Sequence, residues 1–291
     1  MKRRRAIEPS QLGRRRRRRR LIKFLLWLLL LILIVVGASF LTHWSKISVQ
    51  NIVVKGNEVT SSSDISSLAE SDMTGNYYYL FSRRNILLFP KAQIENDILN
   101  HHSRIMSASI KQTALDKIEI DLSERKAIGI WCFDISATTS ASCYSIDQTG
   151  YLFDKAPEIY GANFFTYSGL VEQIDPIGSR FLPADRFQAL NKFIADLRKL
   201  NINPASLVAT DLYDFQLNLD TGGKILFSTR EPLDQALSNL EIVINKNNPD
   251  GASIDLSKID YIDLRFGNKI NYKLKSGTAV QSATTSASST L

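Results

Sequence analysis

The sequence predicts an α+β protein made of a single N-terminal transmembrane helix, a small β-α-α-β-β domain and a second, mixed α/β domain. That last domain is expected to hold an antiparallel-rich sheet with an open C-terminal edge strand. Three observations predict this. Phe24 to Trp44 is a run of 21 residues without Asp, Glu, Lys or Arg. Twelve of the 36 basic residues crowd into the 23 positions before it. Beyond it, short alternating runs mix with longer runs whose apolar residues recur at helical spacing.

The apolar run comes first because it decides where everything else lies. A bilayer core of about 30 Å needs about 20 apolar residues in a helix rising about 1.5 Å per residue. Trp27 and Trp44 stand near its ends, where indoles favour the headgroup level. A buried core helix would keep a polar stripe, and this one has none. Val36-Gly37-Ala38 loosely fits a signal-peptidase site, but the apolar run is longer than the 7–15 residues usual in a signal. The expected reading is an uncleaved span.

Residues 1–23 hold Lys2, Arg3 to Arg5, Arg14 to Arg20 and Lys23 against the single acid Glu8. The rest of the chain keeps 24 basic and 28 acidic side chains. The pI of about 9.3 therefore belongs to a short tail. Arginine beside a span is retained in the cytoplasm, which places the N-terminus inside and the bulk of the chain outside the cytoplasmic membrane. The same charge could attract nucleic acid, but no aromatic or polar readers are interleaved, so none is expected. Contact with anionic lipid is, at about 1 kcal/mol per basic residue near the surface.

The segments that follow are 24–44 for the span, 45–126 and 127–275 for two extracytoplasmic domains, and 276–291 for a tail. In the first domain, Ile47 to Lys55 is a β-branched strand closed by the Gly56-Asn57 turn. Ser61 to Asp64 offer N-caps to a helix carrying Ile65 and Leu68. An aromatic loop, Tyr77 to Phe81, leads to a second helix opened by Pro90, with Ile94 and Ile98 on one face. Ile105 to Lys111 and Lys117 to Leu122 are the closing strands, giving a small sheet with two helices on one face.

In the second domain Ala127 to Phe133 reads as a strand. Cys143 to Asp147 and Tyr151 to Phe153 flank the turn Gln148-Thr149-Gly150. Residues 154–182, with Pro157, Gly161, Pro176 and Gly178, read as a loop. A helix from Pro183 to about Leu200 places Phe187, Leu190, Ile194 and Leu197 on one face. A hairpin, Phe215 to Leu219 and Lys224 to Phe227, turns at Asp220 to Gly223. Another helix from about Pro232 aligns Leu233, Leu237, Leu240 and Ile244. Tyr261 to Phe266, a Gly267-Asn268 turn and Lys269 to Leu274 close the domain. The Ser-, Thr- and Ala-rich tail, 276–291, is expected to be disordered. Cys132 and Cys143 could be bridged in an oxidising compartment or could remain two small buried thiols; composition favours neither.

Several motifs appear in order. They are Val54-Lys55-Gly56-Asn57, Asp64-Ile65, Ile118 to Leu122, Glu124-Arg125-Lys126-Ala127, the Asp147, Gly150, Phe153 spacing D-x-x-G-x-x-F, and Asp263-Leu264-Arg265-Phe266. Together they resemble the FtsQ/DivIB cell-division family, with Ala127 standing where that family often has proline. The resemblance implies that residues 45–126 are a POTRA domain linked to recruitment. It implies a bitopic divisome protein that binds FtsB/DivIC-like and FtsL-like membrane partners and so regulates septal peptidoglycan synthesis. It also implies that the terminal sheet edge, from Arg265 and Phe266 onward, engages the FtsB-like partner.

No G-x-S-x-G elbow, P-loop, G-x-G-x-x-G or H-E-x-x-H occurs. His101 and His102 are neighbours that point apart on a helix end. No catalytic residue, cofactor or metal is therefore expected, and the expected chemistry is binding. An open sheet edge can add a partner's strand. The candidate is Lys269, Ile270, Asn271, Tyr272, Lys273 and Leu274, where polar and apolar residues alternate. Its two lysines would equally guard a bare edge against aggregation. Two other classes share these features: a POTRA-bearing secretion or assembly factor, which usually carries several such domains and a β-barrel, and a membrane-anchored envelope hydrolase.

Overall fold

The structure is a computed structural model that describes residues 11–133, 143–157, 164–245, 256–267, 269–275 and 281–284. It is mixed α/β and divides into two compact units, Met1–Glu124 and Arg125–Leu291.

The first unit opens with α1, Gln11–Thr42. Its portion from Arg17 to Thr42 is long and apolar enough to cross a membrane, and none of its most apolar stretch is buried by the protein itself. The helix extends well into the arginine run, because arginine is a good helix former when its charge stays solvated. Trp44 lies past the helix end, followed by a 3₁₀ turn, Ser45–Ile47. That turn shortens the expected strand from its N-terminal side: β1 is Asn51–Lys55.

After β1 come α2 (Ser62–Asp72), a small hairpin of β2 (Asn76–Tyr77) and β3 (Phe81–Ser82), and α3 (Lys91–His101). β4 (Ile105–Gln112) and β5 (Lys117–Glu124) complete the unit. The sheet order is β1-β5-β4, with β1 parallel and β4 antiparallel to β5. Strict alternation on β5 sends Ile118, Ile120 and Leu122 to the covered face. There they meet Ile65 and Ala69 of α2 and Ile94 and Ile98 of α3, which are fully buried. Each buried Ile or Leu contributes roughly 1.5–3 kcal/mol, which holds both helices to the sheet.

In the second unit the described strands form one ten-stranded sheet. They are β6 (Ala127–Cys132), β7 (Cys143–Asp147), β8 (Leu152–Lys155), β9 (Thr166–Ser168), β10 (Pro204–Ala209), β11 (Asp214–Leu219), β12 (Lys224–Ser228), β13 (Ile259–Phe266), β14 (Lys269–Leu274) and β15 (Gln281–Thr284). The order is β15-β14-β13-β12-β11-β10-β9-β6-β7-β8. Most pairings are antiparallel; β9 with β10, β9 with β6, and β12 with β13 are parallel. Helices α4 (Ala184–Lys199) and α5 (Leu233–Asn245) bury Phe187, Leu190, Ile194, Leu197 and Leu240 in one core with Phe215, Leu217, Ile225 and Phe227 of the sheet.

Three expectations are corrected. Part of 154–182 is not loop: Thr166-Tyr167-Ser168 is β9, in the middle of the sheet, with Tyr167 buried. Three residues are too few to show a period, and the strand exists because β6 and β10 pair with both of its sides. β10 likewise escaped the sequence, since its Pro204 and Ala residues lower strand propensity. The second correction concerns the C-terminal edge, and the third the tail beyond it: β14 is not open. β15 pairs with it antiparallel, Lys269 opposite Thr284 through Tyr272 opposite Gln281. The tail expected to be disordered therefore contributes a strand at 281–284, and its other residues, like Asn268 of the predicted turn and the linker 134–142, lie outside the described residues. The reason is that strand pairing satisfies backbone groups whatever the side chains, so a Ser- and Ala-rich segment can add to a bare edge.

The cysteines are bridged. Cys132 and Cys143 lie opposite each other on β6 and β7, with Cα atoms 4.2 Å apart. They sit beside Ile130 and Ala156 in a small cluster apart from the main core. Closing an 11-residue separation should stabilise the unit by just under ~3 kcal/mol. Reduction, or a Cys132→Ser, Cys143→Ser pair, is expected to lower the denaturation midpoint accordingly. Buried Trp131 next to the bridge reports it by fluorescence.

Candidate partner-binding edge and the motif residues around it

The hairpin β13–β14 turns at Gly267, whose φ is +60°. Asn239 of α5 donates from Nδ2 to the Gly267 carbonyl at 3.0 Å, pinning the turn against the helix. On β13, Asp263 is buried and takes a two-pronged contact from Arg265, Nε to Oδ1 at 2.9 Å and the terminal nitrogen to Oδ2 at 2.7 Å. That hydrogen bonding raises the guanidinium pKa further. Asp and Arg two apart on a strand share a face, which is the physical content of the D-L-R spacing. Leu264 between them points into the core.

The predicted binding residues separate into two sets. Ile270 and Tyr272 are buried in the unit's own core, and Leu274 packs partly against it. Their side chains are not available to a partner. Lys269 and Phe266 are exposed, Phe266 at 57%. Asn271 is half-buried opposite Asp263, and Lys273 pairs with Asp260 at 3.1 Å. Arg265 stacks near Phe266, 5.8 Å from the ring centroid. An exposed Phe–Arg–Lys corner is therefore what the hairpin presents, and β15 covers its backbone edge.

The other motif residues turn out to be joints. Gly56 has φ +78° and ends β1. The following turn delivers three backbone N–H groups, of Glu58, Val59 and Thr60, to the carboxylate of Glu124 at 2.8–3.1 Å. Asn57 closes the same turn by donating to the Thr60 carbonyl. Two motifs 66 residues apart in sequence thus meet at one carboxylate. Burial pushes the Glu124 pKa up, but the hydrogen bonds from Thr60, Val59 and Glu58 outweigh it and hold the group below the usual range. A depressed folded pKa stabilises at pH above the unfolded value, about 4.3, and the gain disappears as pH falls through the folded one. Acid melts should therefore show Glu124→Gln starting lower than the parent at neutral pH and losing less than the parent as pH falls below about 4.3.

Arg125, the next residue, belongs to the second unit and serves its own joint. It donates to Asp147 Oδ2 at 2.6 Å, both side chains being largely buried, and its guanidinium lies 4.1 Å from the Tyr151 ring centroid. Asp147 Oδ1 accepts from Thr149 N and Oγ1 and from Tyr151 N, closing the turn whose Gly150 has φ +78°. Burial raises the Asp147 pKa, and the bonds from Thr149 and Arg125 more than reverse it. Among the described residues no three His, Cys, Asp or Glu side chains converge as metal ligands. A cleft of about 610 Å³ lies between Arg186, Tyr213 and the start of α5. Arg186 from its lining, and Arg230 outside that lining, place their guanidiniums 4.9 and 5.0 Å from the Tyr213 ring centroid.

No protein-family model matches the chain, and neither does any curated protein compared with it.

Proposed function

We propose that this chain is a bitopic scaffold of the bacterial cell-division machinery, N-terminus in the cytoplasm, acting by binding and not by catalysis. Its partners on this reading are FtsB/DivIC-like and FtsL-like membrane proteins, and its effect is control of septal peptidoglycan synthesis. Residues 45–126 play the part of a POTRA domain. The N-terminal arginines hold the topology and touch anionic lipid.

The observation that carries the reading is the β13–β14 hairpin with an antiparallel strand already laid along β14 from Lys269 to Tyr272. That edge is competent for strand addition. Its present occupant, Gln281-Ser282-Ala283-Thr284, is short and lacks the aromatic and β-branched residues that strengthen cross-strand pairs, apart from Thr284. A partner strand richer in such residues would take its place and also meet Phe266 and Arg265. The convergence of the family-like motifs on two joints, at Glu124 and at Asp147, supports the same reading.

The test is made in the native cell. Depletion should give filaments or failed septa. A photo-crosslinker at Lys269 should capture a small coiled-coil membrane protein, and deleting residues 281–291 should increase the yield. Normal septation after depletion would end the proposal.

A further inference from the structure

The turn between β2 and β3 is built from the wrong residues for a turn. Tyr78 and Tyr79 have φ of +51° and +63°, and the Leu80 N–H donates to the Tyr77 carbonyl at 3.0 Å. Two successive left-handed positions in a tight hairpin favour Asn-Gly, because bulky L residues rarely adopt them. Here both are tyrosine, and both side chains are exposed, at 87% and 96%. Turn formation does not explain that choice.

Where the hairpin sits does. Ser39 of α1 donates from Oγ to the Leu80 carbonyl at 2.5 Å. The Ser82 N–H donates to Thr42 Oγ1, and Asn85 Nδ2 to the Thr42 carbonyl, each at 3.3 Å. Ser39 lies inside the uncharged 21-residue run, five residues before Trp44. At about 1.5 Å of rise per residue it is roughly 4–5 Å deeper along the helix than Thr42. The hairpin tip therefore reaches back beside the last turn of the apolar helix to the level where a span meets headgroups. Leu87, 78% exposed, comes two residues after Asn85 and donates its N–H to the Oδ1 of that same Asn85 side chain at 3.0 Å.

We propose that Tyr78, Tyr79 and Leu87 form a lipid-binding foot that enters the headgroup–acyl boundary of the leaflet where α1 emerges. Tyrosine suits that boundary, ring toward the acyl chains and hydroxyl toward water and phosphate. With α1 it gives the first unit two points of contact with the bilayer, so the unit cannot swivel freely about the helix end. The inference rests on α1 crossing the membrane.

The test uses the full chain in phosphatidylcholine vesicles with an NBD label at Tyr79→Cys, the native cysteines being bonded to each other and unreactive. Reference labels are placed at Phe40→Cys, exposed on α1, and at Val59→Cys, exposed beyond the far end of β1. Lipid carrying a shallow doxyl quencher should reduce emission at Tyr79 by at least half as much as at Phe40, and leave Val59 unchanged. Quenching at Phe40 without quenching at Tyr79 would overturn the foot and spare the span. No quenching at Phe40 would overturn both. A second variant, Tyr78→Asn with Tyr79→Gly, favours the turn and preserves folding; a label at Leu87→Cys should then lose about half its quenching, and an unchanged value would mean the tyrosines serve only the turn.

Discussion

Asp147→Ala is expected to cost the second unit about 3 kcal/mol, because it removes a largely buried carboxylate that the Arg125 guanidinium contacts at 2.6 Å. It also strips the acceptor from the Thr149 and Tyr151 N–H groups. Denaturation followed by the emission of buried Trp131 measures the loss. Asp147→Asn divides the effect. With its carbonyl at the Oδ1 position the turn bonds survive, and only the ion pair is lost. Because the folded carboxyl titrates below its usual range, the parent's advantage over Asp147→Asn should be full above about pH 3.9 and fade as pH falls through the folded value. An alanine variant within ~1 kcal/mol of the parent would show that the pair is solvated and the joint unimportant.

Gly56→Ala should be as damaging to the first unit. A Cβ there would lie 2.1 Å from the Leu122 carbonyl oxygen of β5, at a φ of +78°. Left-handed strain alone costs about 1–2 kcal/mol; the clash must in addition push β1 off β5 or flip the turn that feeds Glu124. A total on the order of 3–5 kcal/mol is expected. Gly75→Ala supplies the control, since φ is +80° there but no atom lies within 4 Å. It should cost the strain and nothing more. Hydrogen exchange in β1 and β5 reads both; equal protection in the two variants would remove the steric argument.

These two residues also show what a sequence reader can and cannot see. Gly56 and Asp147 stood out as members of short motifs, and the turn chemistry of each was readable. That Gly56 meets Leu122, and that Asp147 meets Arg125, was not, because nothing in local spacing encodes a contact across 66 or 22 residues. Strand β14 shows the same split. Its alternation correctly separated Lys269, Asn271 and Lys273 from Ile270, Tyr272 and Leu274, but the occupation of its outer side by 281–284 left no trace in composition.

Length, charge and periodicity were enough to place an apolar helix behind a basic tail and to type most helices and strands. Those properties are local: a helical stripe or a strand's alternation is written in consecutive residues. The order of ten strands, the insertion of β9 between β6 and β10, the disulfide and the covered edge came only from the folded chain. Each depends on which backbone groups find one another over long separations. Every strand offers the same donors and acceptors, so pairing partners are selected by packing of the whole core and not by any segment alone.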